Sequence, residues 1–232
     1  MPTLIPLIYY LYRLDGPTLQ GSTPFEVKNA AAVRRWLLAA MLNNVFSGSS
    51  DNVLRDIRQV LGERLTDGER DFPVEVIERK LAASGRSARF DGYAADEVLS
   101  ISYGKRRTFL ALSLLYDRTN WGTLEHHQDH IFPRSLFTDE KLEAVGVPPE
   151  KRDRYRELRD HLGNLELLLA HENEEKSNKD FGEWVHTRDR AFKRTHLIPE
   201  DDDLLVLKRF EDFIEARETL IQDRLKIIFS ES

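Results

Sequence analysis

The chain has 232 residues, of which 41% are hydrophobic and 32% charged, with a formal net charge of −6. This is a globular composition, long enough for one large domain or two small ones, and its low glycine and proline content argues against long disordered tracts. The absence of cysteine excludes disulfides, thiolate zinc sites and a cysteine nucleophile, and fits a reducing compartment.

The first element is the uncharged run Leu4 to Tyr12, whose nine residues fall well short of the roughly 20 that span a bilayer. No basic segment precedes it and no small-residue cleavage site follows. It reads as a core helix over residues 3–13, and the protein as cytoplasmic. Residues 26–46 place Val33, Trp36, Leu37, Ala40 and Met41 at helical spacing, which predicts a longer helix. "SGSSDNVLRDIRQVL" is a serine-rich stop, an N-cap and a new helix beginning near Asp51. A helix is expected from Pro73 to Ala83, opened by proline in its first turn. The stretch 84–92 reads as a loop, and a helix from Lys105 to Tyr116 closes this region.

Residues 122–185 have a different pattern. "TLEHHQDHI" has strand character and ends at Pro133, "NLELLLA" (164–170) is a short apolar strand, and "ENEEKSNKDFGEW" opens as a helix. The excursion from Arg134 to Gly163 carries its own helix, Pro149 to Leu162, stopped by Gly163 at C′. Hairpin loops usually hold about two to five residues, so an excursion of roughly thirty is odd for a purely structural hairpin. Beyond it, Phe210, Phe213, Ile214, Leu220, Ile221 and Leu225 mark a long amphipathic C-terminal helix. Residues 200–232 hold ten acidic and five basic side chains, leaving −1 of the net charge for residues 1–199. Basic clusters stand out in that near-neutral body, Lys105-Arg106-Arg107 and Lys151, Arg152, Arg154, Arg156 and Arg159. Because Asp153, Glu157 and Asp160 interleave the second cluster, charge alone makes only a weak case for a polyanion partner.

Chemistry concentrates in "HHQDHIFP" (126–133), where His126, His127, Asp129 and His130 precede an apolar run. "DHIFP", "GNLELL" and "NEEKSN", in this order, resemble the HNH nucleases. The match is closest to the C-terminal nuclease domain of GmrSD-type restriction proteins, which sense phosphorothioate or otherwise modified DNA. "LIPLIYYLY", "FSGSSDNVL" and "RFEDFIEAR" extend the resemblance over nearly the whole chain. It implies a mainly α fold with a small ββα-metal (HNH/His-Me finger) core and helices before and after it. The expected divisions are a helical region over 1–118, the nuclease core over 119–195 with an inserted helix at 149–162, and a C-terminal helix over 196–232 that packs back on the domain.

The residue types suit phosphodiester hydrolysis. His130 has an imidazole whose ordinary pKa lies near neutrality, so it can take a proton from water. Asp129 and Asn173 offer hard oxygens to one Mg²⁺ (or Mn²⁺), an ion that keeps most of its waters. By resemblance, Asn164 fixes the His130 ring or its backbone. Lys176, one helical turn after Asn173, is expected to meet the scissile phosphate. Ile131 and Phe132 anchor the strand in the core. For His127, two readings stand side by side, a group supporting or occasionally joining the metal ligands and a structural histidine. Arg134, Lys151, Arg152 and Arg156 are candidate nucleic-acid contacts, with a solvated surface as the alternative. His126, His161, His171, His186 and His196 read as structural.

The expectation is therefore a metal-dependent DNA endonuclease or nickase of bacterial defence, with DNA as partner. The alternatives are a non-catalytic DNA-binding or scaffolding module and an HNH RNase. Two departures from the family pattern stand out: a four-cysteine zinc site is impossible, and no GxxxxGK[ST] loop is present. The nucleotide-hydrolysing sensor usual in the family is thus expected on a separate domain or subunit, with this chain a C-terminal fragment or a nuclease subunit.

Overall fold

The computed structural model describes residues 2–14, 19–116, 124–177 and 179–230. The expected strand start at 122–123, the boundary drawn between 118 and 119, and Asn178 lie outside them. The described residues are mainly helical with one two-stranded antiparallel sheet. None of their helices is long and apolar enough to cross a membrane. The chain forms two compact units, one running to Ala94 and including the last turn of the C-terminal helix, the other running from Ala95 to Ile228.

The first unit contains α1 (Ile5–Arg13), α2 (Pro24–Leu42), α3 (Ser50–Thr66), α4 (Val74–Ala82) and the start of α5 (Gly92–Leu99). α2 begins two residues before its expected start because Thr23 caps it. The Thr23 hydroxyl accepts from Glu26 N, and the Glu26 carboxylate accepts from Thr23 N, the reciprocal pair of a capping box. Pro73 stands at the N-cap of α4. Tyr10, Trp36, Ile57, Leu61 and Ile77 form the core. Within it, buried Asn29 donates to Tyr10 Oη and accepts from Phe72 N, both at 2.8 Å.

The second unit contains α6 (Arg106–Leu115), β1 (His126–His130), α7 (Asp139–Ala144), α8 (Pro149–Leu158), β2 (Leu165–Leu169), α9 (Ala170–Lys176), α10 (Phe181–His186), α11 (Arg190–Thr195) and most of α12 (Phe210–Ser230). Contacts group residues 95–116 with the strands, and the division between the two units falls at 94/95. The reason is the packing of α6 on β2. Sequence periodicity does not predict α5, α7, α10 or α11. Each has eight residues or fewer, and for α7, α10 and α11 a side-chain cap marks the start. Thr138, Asp180 and Asp189 accept from the backbone N of Lys141, Glu183 and Phe192.

β1 pairs with β2 from His126↔Leu169 to His130↔Leu165, and α9 starts at the next residue. The order strand, long excursion, strand, helix is the expected one. The excursion helix differs, since α8 ends at Leu158 and Gly163 lies in the 3-10 turn Leu162–Asn164. Gly163 serves close packing instead of a helix stop. A Cβ there would lie 3.1 Å from Ile214 Cγ2 and 3.2 Å from Glu218 Cγ, so only a residue without one lets α12 approach.

After His130 the chain enters the core. Phe132 is 1% exposed and packs against the rings of Phe181, Phe210 and Phe213 at centroid distances of 5.0–5.4 Å. Phe132→Ala is expected to destabilise this unit by about 3–5 kcal/mol, because a rigid aromatic cage cannot collapse on the void. Urea unfolding followed by near-ultraviolet circular dichroism checks this; a loss below about 1 kcal/mol would mean that the cage does relax.

Candidate active site

Strand alternation sets the site. Asp129 and His127 leave β1 on one face, while His130 and Gln128 leave it on the other. Asp129 stands directly opposite Glu166, so two carboxylates share one face, and both are met by a lysine. Lys176 Nζ donates to Asp129 Oδ2, to Glu166 Oε1 at 2.9 Å and to the His130 carbonyl at 2.6 Å. Its side chain is 0% exposed, and the ammonium also lies 5.4 Å from the Trp184 ring centroid. An ammonium has three N–H donors, and all three are used here. The expectation that Lys176 meets a phosphate is therefore overturned: it is an internal cross-link between α9 and both strands.

Glu166 is the residue that sequence patterns miss. It is fully buried and also accepts from or shares a proton with His196 Nδ1 at 2.9 Å. Burial alone would raise its pKa, but the Lys176 charge and the His196 hydrogen bond outweigh it and hold the carboxyl at about 2. The network continues to Tyr116, whose hydroxyl lies 3.3 Å from His196 Nδ1 and accepts from Leu167 N at 3.0 Å. Burial, then the Glu166 charge, raises the Tyr116 pKa. Arg217 of α12, 1% exposed, closes this region by donating to the carbonyls of Leu162, Gly163 and His196. The signal for Glu166 is a lone charge inside "NLELLLA", since a charge in a buried strand demands a buried partner.

On the other face, His130 is 7% exposed. Its Nε2 lies 2.9 Å from Asp160 Oδ1, and the Tyr103 ring packs on the imidazole with centroids 4.5 Å apart. Burial lowers the His130 pKa, and although Asp160 and Asp129 push it back up, it stays below the ordinary value. Burial thus favours the neutral ring, the form a base needs. Asp160 is clamped in turn, with Arg159 Nη2 2.9 Å from Oδ2 and Arg134 Nε 3.4 Å from Oδ1. Burial alone would raise the Asp160 pKa; hydrogen bonds from Arg159 and His130 and the charge of Arg134 lower it overall.

Asn164 is fully buried, and its hydrogen bonds go to the backbone around His130 rather than to the ring. Its Oδ1 accepts from Phe132 N at 2.9 Å, its Nδ2 donates to the carbonyls of Phe132 and Arg159, and its own carbonyl accepts from Ile131 N. It locks the chain just after His130 to the chain just before β2. His127 lies within 3.3 Å of Glu125 Oε1, without hydrogen-bond geometry.

Of the candidate nucleic-acid contacts, Arg134 is exposed and joins the His130 site through Asp160. The other three carry acidic partners. Lys151 Nζ lies 2.6 Å from Glu211, Arg152 pairs with Glu143 and Asp139, and Arg156 pairs with Asp153 and Asp139. They fasten α8 to its neighbours.

The described residues contain no group of three His, Cys, Asp or Glu side chains able to hold a metal. A magnesium ion keeps several of its waters and is held by as few as one or two carboxylates. Lys176 takes only Oδ2 of Asp129. Asn173 is half-buried one turn before Lys176 on α9, the helix that packs on β1. Asp129 Oδ1 is left without a bond from Lys176, and Asn173 stands on the helix that packs on the same strand. No family model and no curated protein matches this sequence.

Glu166→Gln leaves Lys176 with one carboxylate in a buried site, and the expected loss is about 3–5 kcal/mol. The pH dependence follows from the depressed pKa. The stabilisation is complete above the unfolded value of 4.5 and is lost as pH falls towards about 2. Denaturant titrations of both proteins between neutral and strongly acidic pH should converge at the acid end. Parallel curves would show that folding leaves the Glu166 pKa unshifted.

Proposed function

We propose that this protein is a metal-dependent endonuclease or nickase of the HNH type, hydrolysing phosphodiester bonds in foreign or modified DNA as the effector of a bacterial defence system. The observation that carries the reading is a buried His130, ring-clamped by Asp160 and Tyr103, at the end of the first strand of a strand–strand–helix unit.

In this mechanism His130 takes a proton from water as the water oxygen attacks phosphorus. The bond from phosphorus to the 3′-oxygen breaks, and that oxygen is protonated by solvent, giving 5′-phosphate and 3′-hydroxyl ends. Asp129 and Asn173 would hold one Mg²⁺ or Mn²⁺, which when bound supplies charge for the phosphoryl oxygen and the leaving group. Lys176 keeps Asp129 and the His130 backbone in place. Arg134, exposed beside Asp160, offers its guanidinium to a phosphate oxygen. Target choice and triggering belong to a nucleotide-hydrolysing sensor carried on another domain or subunit.

The test is incubation with Mg²⁺ or Mn²⁺ and supercoiled plasmid, beside structured RNA. Nicked or linear plasmid, abolished by chelator, is expected. His130→Ala should lower single-turnover cleavage by about 10²–10⁴-fold, the range of a lost general base, with DNA binding retained. Asp129→Ala and Asn173→Ala should raise the Mg²⁺ concentration needed for half-maximal rate. Cleavage of RNA alone, or wild-type turnover by His130→Ala, would sink the reading.

A further inference from the structure

His130 offers two ring nitrogens to a proton, and the arrangement around Asp160 decides which of them acts. We infer that Asp160 is a positioning residue that fixes the His130 tautomer, so that Nε2 keeps its proton and Nδ1 is the atom that receives the proton of the attacking water. This rests on the nuclease reading for the identity of the reaction, but the tautomer stands on geometry alone.

A carboxylate only accepts hydrogen bonds, so at 2.9 Å from Asp160 Oδ1 the Nε2 atom must carry the hydrogen. A neutral imidazole has one N–H, which leaves the lone pair on Nδ1. Nδ1 has no hydrogen-bond partner among the described residues, and it is not among the sealed, unpartnered nitrogens of the protein.

The carboxylate cannot turn away. Arg159 holds Oδ2 at 2.9 Å, Arg134 stands 3.4 Å from Oδ1, and the backbone carbonyl of Asp160 accepts from Tyr103 N at 2.8 Å. That last bond ties Asp160 to the residue whose ring packs on the imidazole, so one loop contact sets both the partner and the stacking surface of His130. The backbone is fixed independently by Lys176 on the His130 carbonyl. The groups facing the ring are thus Asp160, Tyr103 and Arg134, with Asp129 adjacent on its own strand. During the reaction the proton arriving at Nδ1 makes an imidazolium, and Asp160 offsets its charge without taking a proton.

The test pairs spectroscopy with kinetics on the full chain. Long-range ¹H–¹⁵N correlation spectra of histidine-labelled protein, at a pH where His130 is neutral, should show the Nε2–H tautomer for wild type. Asp160→Asn, whose amide can donate as well as accept, should shift the ring towards Nδ1–H or a mixture, and Asp160→Glu should restore wild type in part. In parallel, Asp160→Asn should lower kcat by about 10- to 100-fold, the usual scale for a group that orients a functional ligand, with KM nearly unchanged. An Nδ1–H ring in wild type overturns the proposal, as does a tautomer indifferent to Asp160→Asn or an effect confined to KM. A wild-type chain that cleaves no nucleic acid but shows the expected tautomer change overturns the nuclease reading and leaves the pairing of Asp160 with His130 standing.

Discussion

The fully buried ammonium of Lys176 is the constraint on which the rest of the strand–strand–helix unit depends. Moving a lysine out of water is unfavourable by several kcal/mol unless its donors and charge are matched. Matching requires Asp129, Glu166 and the His130 carbonyl together. Those acceptors come from both strands, and the ammonium comes from the helix that follows. Register is fixed by the same bonds. Asp129 and Glu166 are directly opposite each other, where two like charges would repel, and the cation between them reverses the sign of that contact. A slip of one residue would turn Glu166 away from Asp129's face and leave Lys176 with an unpaired charge in the core.

The surroundings of His130 inherit their order from this cage. Lys176 fixes the backbone of His130 from the α9 side, while Asp160 and Tyr103 fix its ring from the other. Asn164 then pins Ile131 and Phe132, so the chain on either side of the imidazole has little freedom left. Ring and backbone are therefore held by separate groups on separate elements. A defect in one does not automatically release the other, and this is what allows a positioning role for Asp160 to be told apart from a structural one.

Periodicity makes α1, α2, α3, α6 and α12 visible in the sequence, because each has a long enough apolar stripe, while a strand-like run closed by Pro133 and the short apolar run "NLELLLA" mark the two strands. The short helices stay hidden, because a six-residue segment has no measurable period and is set by a single cap. His130, Asp129 and Asn164 are legible as a cluster of unusual residues. What alternation in β1 also dictates, that Asp129 and His130 face apart, is easily lost when residues are read as a motif. Lys176 illustrates the harder limit. A lysine one turn along an acidic helix looks solvated, and only its burial against Glu166 shows that its three donors are already engaged. Asp160 sits in "RDHLGN", where nothing local distinguishes it from the other acids of the excursion.

The same limit applies to surface charge. The basic cluster 151–159 stands out in the sequence, yet every member is paired: Lys151 with Glu211, Arg152 with Glu143, Arg154 with Glu157, Arg156 with Asp153, and Arg159 with Asp160. Exposed ion pairs add little stability, but they cancel the field that would attract a polyanion. Positive charge beside His130 comes from elsewhere. Arg134 is exposed at the mouth of the site, and Lys105 and Arg106 are exposed just after Tyr103, the residue that packs on the imidazole. The excursion helix α8 has the structural task of carrying Arg159 and Asp160 to the face of β1 on which His130 lies.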